Sequence, residues 1–288
     1  MGYLIAAILF SVGVFVVMRL FERFGIDNRQ AIAANYATAT AVGLLMCRQP
    51  YSLPEIAAAP WFGLSVLTGF WFIFTYLLLT RSAQQASVAV TSLSSKLSVV
   101  IPTAMGIVLF HEHLNIASAI GVVLALVALY LIVGKKEKGK KSPQGRWMAL
   151  FPIVIFFGTG IGDMLMKLTE QRNTMPDMNV MIAFIYFVAL LFGIVLVVHN
   201  RFTRGTKLAW KNLGGGVLLG LVNYFSTYCV YRCMRLFDNV FLFPIYNIGV
   251  VMLTALIGLL LFKEKLTAKN LIGIAVAIIA VILIALKP

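Results

Sequence analysis

The sequence predicts an all-α integral membrane protein of ten transmembrane helices, built as two inverted repeats of five. Three observations predict it. The 288 residues are 61% hydrophobic and only 12% charged, whereas soluble domains run to about 25% charged. Mean hydropathy is +0.94, and no soluble core needs so much apolar residue. Apolar runs near the ~20 residues that a helix needs to cross a bilayer recur along the whole chain. Finally, motifs of the first half return in the second at a nearly constant offset.

Apolar length and polar breaks mark the spans in order. Tyr3–Leu20 comes first, and without a basic n-region before it this run reads as a span, not a cleaved signal. Gln30–Cys47 follows, made polar near one end by Asn35, Tyr36, Thr38 and Thr40. Ala58–Thr80, Ala86–Phe110 and Ile116–Val133 complete the first half. The second half reads Trp147–Leu168, Met178–Val198, Leu213–Met234, Val240–Phe262 and Ala268–Leu286. Joints are short except a basic, glycine-containing segment, so the expected organisation is residues 1–134, a linker over 135–146, and residues 147–288.

The halves repeat. Ala33, Tyr36, Ala39 and Gly43 recur as Ala183, Tyr186, Ala189 and Gly193, an offset of 150. Gly106-x-x-Leu109-Phe110-x-Glu112-x-Leu114 recurs as Gly258-x-x-Leu261-Phe262-x-Glu264-x-Leu266, an offset of 152. Single identities between apolar helices are cheap, but offsets that grow only from 148, for Met18-Arg19-Leu20-x-Glu22 against Met166-Lys167-Leu168-x-Glu170, to 152 along the chain are not. An odd number of spans per half inserts the second half upside down. Inverted repeats of this kind put a binding site at mid-membrane between the halves and work by alternating access.

The run PTAMGIVLFHEHLNIASAIGVVLALVALYLIV and its second copy, ending LIGLLLFKEKLTAKNLIGIAVAIIAVILIAL, resemble the drug/metabolite transporter superfamily, in particular its ten-helix EamA-type members. In that family each half carries a glutamate after its fourth helix, then a leucine, then a helix opening near a glycine. Those positions here are Glu112, Leu114 and Gly121, then Glu264, Leu266 and Gly273. The resemblance implies the ten-helix fold and a transport function, with Glu112, Glu264, Gly121 and Gly273 as structural residues. It leaves the substrate open, since the family moves amino acids, sugars, nucleotide derivatives and drugs. Lys96 is no part of the family's general pattern.

The fourth span holds the sharpest functional signal. Lys96 lies ten residues into an apolar run, among Thr91, Ser92, Ser94, Ser95, Ser98 and Thr103. In one continuous helix, Ser92, Lys96 and Thr103 share a face, with Leu93, Leu97, Ile101 and Ala104 opposite. An ammonium at that depth costs at least ~2.5 kcal/mol, so it should meet a cavity or a partner and not lipid. The alternative is a structural pair, with Asp163 as the other charge inside a span. Asp163 itself stands four residues from Lys167, the spacing of a local ion pair. In the aligned repeats Ser92 matches Pro244, Ser95 matches Asn247, Lys96 matches Ile248 and Asp163 matches Phe15. Charges that break the repeat are where specificity sits most naturally, so Lys96 and Asp163 are the candidates for coupling to an ion gradient.

A polar-aromatic pocket is expected from Asn35, Tyr36, Tyr76, Asn223, Tyr224, Thr227, Tyr246 and Asn247, together with Ser92, Ser95 and Lys96. Other motifs carry no chemistry. GTGIGD at Gly158–Asp163 lies inside a span with no strand before it, so it is not a phosphate loop. The spacings Gly158/Gly162 and Gly216/Gly220 let helices approach closely. His111 and His113 lack further metal ligands, and Glu112 and Glu264 sit at span edges where capping or bonding the joint is their role. Cys47, Cys229 and Cys233 read as core residues, with neither a disulfide framework nor a zinc site. No cofactor is expected.

The expectation is therefore a secondary transporter, not an enzyme, for a small anionic or zwitterionic metabolite such as an amino acid or related carboxylate. Family members that expel cationic drugs use a first-span glutamate, and YLIAAILFSVGVFVVMRL has no acid. The rivals are a flippase for lipid or lipid-linked sugar and a membrane-embedded transferase, the latter disfavoured because no acids pair in a DxxD-like motif. Expected partners are the substrate and the bilayer, with no nucleic acid, in a monomer or homodimer. The net charge of +14 follows from basic residues flanking the spans. One face carries 17 Lys and Arg and the face bearing the termini carries 6, with Lys96 left out. The positive-inside rule then puts the 135–146 linker in the cytoplasm of a plasma (inner) membrane protein and both termini outside, opposite to the family's usual topology.

Overall fold

The computed structural model describes residues 2–48, 51–85, 87–101, 116–132, 144–173, 175, 177–234, 236, 239–264 and 267–285. All regular structure among them is helical: α1 Gly2–Arg23, α2 Asn28–Leu45, α3 Leu53–Ala58, α4 Phe62–Gln85, α5 Val88–Leu97, α6 Ile116–Ile132, α7 Gln144–Gln171, α8 Met178–Arg204, α9 Trp210–Met234, α10 Asn239–Leu260 and α11 Ala268–Ala285. Five of these are long and apolar enough to cross a membrane: Gly2–Arg23, Phe62–Gln85, Leu150–Gln171, Met178–Thr203 and Trp210–Cys233. Shorter apolar stretches lie at Ala119–Ala128, Ile245–Leu260 and Ala268–Ile284. Helix α2 is the polar exception, carrying Arg29, Gln30, Asn35, Thr38 and Thr40.

Local chemistry explains the ends. Asp27 caps α2, its carboxylate accepting from the N–H groups of Arg29 and Gln30. Asp177 caps α8, and Gly205 closes it at φ +63°, where glycine carries no Cβ penalty. On α8, Met181, Ile185 and Ala189 are buried, while Phe187, Leu191, Ile194, Val195 and Val198 form an exposed stripe with Val195 62% accessible. A stripe of large apolar side chains that faces outward suits hydrocarbon, not water. It is consistent with a multi-pass membrane protein.

The chain forms two compact units, each drawing on both sequence halves. The first comprises residues 1–19, 78–161 and 226–288; the second comprises 20–77 and 162–225. In the first, α6 lies along α11, and α5 packs on α10 and α11. Their core holds Leu93, Leu97, Ala125, Phe156, Val251 and Ala280. Gly121 brings α6 close against α11, where an added Cβ would stand 2.7 Å from the Ile284 nitrogen. In the second unit α2 lies along α8. There a Cβ on Gly43 would stand 2.9 Å from that of Ala183, and one on Gly193 would stand 3.3 Å from that of Ala33. Those four positions are the ones related by 150 residues, so each glycine meets the counterpart of the other's partner.

One expectation is corrected. The predicted span Ala86–Phe110 is not a continuous α-helix over its described part: α5 ends at Leu97 and the chain turns at Ser98 and Val99. The N–H of Ile101 bonds the Ser98 carbonyl at 2.9 Å, a three-residue closure in place of the four-residue one. Pro102 has no N–H to offer that carbonyl, and the Ser98 hydroxyl turns back onto the Ser95 carbonyl. The face shared by Lys96 and Thr103 therefore does not follow, and Thr103 lies outside the described residues.

Candidate functional site

In the first unit, α5 is held firmly at its start. The Ser87 hydroxyl accepts from the Val90 N–H at 2.9 Å, and Glu264 Oε1 accepts from the Val88 N–H at 2.8 Å. Two first-turn donors are thus satisfied, one by a carboxylate that also suits the positive end of the helix. Lys96 sits in the last turn, where a cation faces the negative end, about 12 Å along the axis from Val88.

Lys96 Nζ donates to Tyr246 Oη at 3.1 Å and stands 4.3 Å from the centre of that ring. The phenol oxygen is 2.6 Å from Ser11 Oγ, which is 2.7 Å from Ser226 Oγ. A polar chain thereby joins α5, α10, α1 and α9 through side chains in an apolar setting. No carboxylate pairs with Lys96 among the described residues. Lys96 and Asn247 together line a small recess whose other walls include Leu93, Leu97, Val251 and Val281. Asn247 is only 6% accessible, and its amide makes no hydrogen bond to another described residue. The site thus offers a half-buried ammonium without a counter-ion among the described residues, beside the Asn247 side chain.

The second unit has its own polar cluster. Tyr76 donates to Asn223 Oδ1, and Asn223 Nδ2 donates to Asn35 Oδ1 at 3.2 Å. The Tyr36 ring lies 5.6 Å from Tyr76 and 5.9 Å from Tyr186. Tyr224 donates to Asn179 at 3.1 Å. Asn35 Nδ2 and Tyr36 Oη are buried without a partner among the described residues. Gly216 and Gly220 bring α9 against α2 here, facing Ala31, Ala34, Asn35 and Thr38.

The predicted site residues divide accordingly. Lys96, Tyr246 and Asn247 meet in the first unit; Asn35, Tyr36, Tyr76 and Asn223 meet in the second, with Tyr224 on its own bond to Asn179. Ser92 is buried, bonded to Thr254 and to the Ala89 carbonyl. Ser95 offers its carbonyl to Thr159 at 3.5 Å. Thr227 is half-buried on α9, Asp163 is exposed on α7, and Gly273 is buried on α11. Glu264 binds the start of α5 and not the start of α11, which Thr267 caps. Glu112 and most of the 135–146 linker lie outside the described residues. Ser11 and Ser226 were not expected: a single serine in an apolar span carries no periodic signal, and only its placement opposite Tyr246 gives it a role.

No family model matches the chain. A protein of Haemophilus influenzae (strain Rd), named only as an uncharacterized protein, is 26% identical over 287 residues, covering 98% of this chain and 96% of its own. A crystal structure with 13% sequence identity superposes with a TM-score of 0.61, over 96% of this chain and 95% of that one. They share the fold. At that identity the likeness extends to nothing finer.

Proposed function

We propose that the protein is a secondary transporter that moves a small anionic or zwitterionic metabolite across the membrane by alternating access. Lys96 carries the reading: an ammonium inside an apolar helix set, bonded to a neutral phenol and to no carboxylate among the described residues. At membrane depth an ammonium without a counter-charge costs at least ~2.5 kcal/mol, so a site of this kind is completed by an anion that comes and goes. Asn247 beside it supplies orientation.

The architecture proposed with it is ten spans in two inverted EamA-like repeats, residues 1–134 and 147–288. The reciprocal contacts of Gly43 and Gly193 support it, as does the packing of corresponding helices on each other: α2 on α8, α5 on α10, α6 on α11. A two-fold relation makes such self-complementary contacts. The proposed orientation follows the charges, with the linker cytoplasmic and the termini outside.

Counterflow in proteoliposomes tests the function. Vesicles preloaded with unlabelled compound are offered trace label from a panel of organic acids, amino acids, nucleosides and cationic dyes. Label should accumulate for one or more acids or zwitterions and for no dye. Accumulation of dyes alone would refute the reading.

A further inference from the structure

We propose that the joint between α8 and α9 makes one end of the second unit a docking surface for anionic phospholipid. The lipid phosphate meets Arg201, Lys207 and Lys211, and its acyl chains lie along the flanking helices. The proposal goes beyond the transport reading and does not depend on it; it needs only that these helices lie in a membrane.

The joint, residues 205–209, is held in one shape by buried amides. Gln30 Nε2 donates to the Lys207 carbonyl at 3.0 Å. Gln30 Oε1 accepts from the Ala209 N–H at 3.2 Å and from Asn212 Nδ2 at 2.8 Å. Asn212 Oδ1 accepts from the Asp27 N–H at 3.0 Å, and Asn200 Oδ1 accepts from Arg29 Nη1 at 2.6 Å. Gln30, Asn200 and Asn212 are all buried. A joint tied in this way to the start of α2 presents its cations without a further ordering cost on binding.

Outward, Phe202 is 83% and Trp210 87% accessible, and Arg201, Lys207 and Lys211 are exposed. Lys211 Nζ lies 3.6 Å from where a Cβ on Gly25 would stand. The exposed apolar stripe of α8 runs into this edge, because Phe202 follows Val198 by four residues and Arg201 follows Ile194 by seven. On α9 the exposed Val217 and Leu221 share a face with Trp210. Both helices thus pass from aliphatic side chains to aromatic and cationic ones, the order of hydrocarbon and headgroup in a bilayer.

Charge names the occupant. This end carries Arg23, Arg29, Arg201, Arg204, Lys207 and Lys211 against Glu22 and Asp27, and Asp27 is engaged in capping α2. At the other end of the same unit Arg48, Lys167 and Arg172 are matched in number by Glu55, Glu170 and Asp177. An excess confined to one end is neutralised by anions from outside the chain. The exposed aromatic side chains beside it favour an anion that carries hydrocarbon. An anionic phospholipid supplies both features, whereas a soluble anion or an acidic protein supplies one.

Trp210 is the reporter for the test. The full chain is reconstituted in vesicles of brominated phosphatidylcholine, which quenches Trp fluorescence, and unbrominated phosphatidylglycerol is titrated in. Trp210→Phe in parallel isolates the Trp210 signal. Phosphatidylglycerol should displace the quencher at Trp210 with at least about a fivefold preference, which salt should reduce. Arg201→Gln, Lys207→Gln and Lys211→Gln combined should abolish the preference, and these exposed changes leave the packed joint intact. Arg48→Gln with Arg172→Gln, at the other end, should leave it unchanged. Inorganic phosphate at matched ionic strength should displace no more lipid than chloride does. Absence of preference in the wild type, or a preference that survives the triple substitution, would overturn the proposal. So would displacement specific to inorganic phosphate, which marks a soluble-anion site, or an equal loss in the Arg48 and Arg172 variant.

Discussion

Gly220→Ala is the substitution whose effect the packing fixes most directly. An alanine Cβ there would stand 2.6 Å from the Asn35 carbonyl oxygen and 2.6 Å from Thr38 Cβ. Reaching an ordinary 3.4 Å contact moves α9 about 0.8 Å off α2. Over-packing of this kind costs about 1–3 kcal/mol. The gain in helix propensity offsets up to about 1 kcal/mol of that. The shift also strains the 3.2 Å bond from Asn223 to Asn35, one turn away, adding about 1 kcal/mol if it breaks. The expected net loss is about 1–2 kcal/mol, read as a melting temperature lower by roughly 2–6 °C. Gly214 lies on the same helix with nothing within 4 Å of its added Cβ. Gly214→Ala should therefore leave the melting temperature unchanged or raise it. Equal shifts for the two variants, in purified protein under one detergent, would refute the packing account.

Glu264→Ala removes the carboxylate from the start of α5; a loss of about 0.5–2 kcal/mol is expected, with faster hydrogen exchange at the Val88 amide. Tyr246→Phe keeps the ring under Lys96 and deletes the hydroxyl that accepts from it, which should cost about 1.5–3 kcal/mol. Thermal melts of Tyr246→Phe, Ser11→Ala and the double variant should be non-additive, because the two side chains share one bond. For orientation, a reporter fused after Pro288 should be silent when it fluoresces only in the cytoplasm; a bright signal there would reverse the topology.

What was legible in the sequence was the position of the long apolar helices. Hydropathy and polar joints placed Met178–Val198 within α8 and Trp147–Leu168 within α7. They could not show that α5 stops at Leu97, because an apolar run looks alike whether its carbonyls are bonded or not. Pro102, four residues after Ser98, was the available sign. Helix α3 also escaped, although Ser52-x-x-Glu55 with Pro54 is a capping box, and the structure forms both of its bonds. The site was legible in part. Lys96 stood out because charge is costly at that depth, and Asn247 emerged from its match to Ser95 in the repeat. Ser11 and Ser226 did not, since a buried hydroxyl gains meaning only from what lies opposite. Ser92 looked like a cavity residue on a helical wheel and instead bonds Thr254 on α10.

The claim that Lys96 receives the negative group of the substrate is tested most directly by counterflow with wild type, Lys96→Arg and Lys96→Met, at equal amounts of folded protein in the vesicles. The account predicts that Lys96→Met loses at least about tenfold of its affinity for a transported carboxylate, while Lys96→Arg, which keeps the charge, retains measurable transport. Carboxylate counterflow by Lys96→Met with wild-type affinity would contradict it.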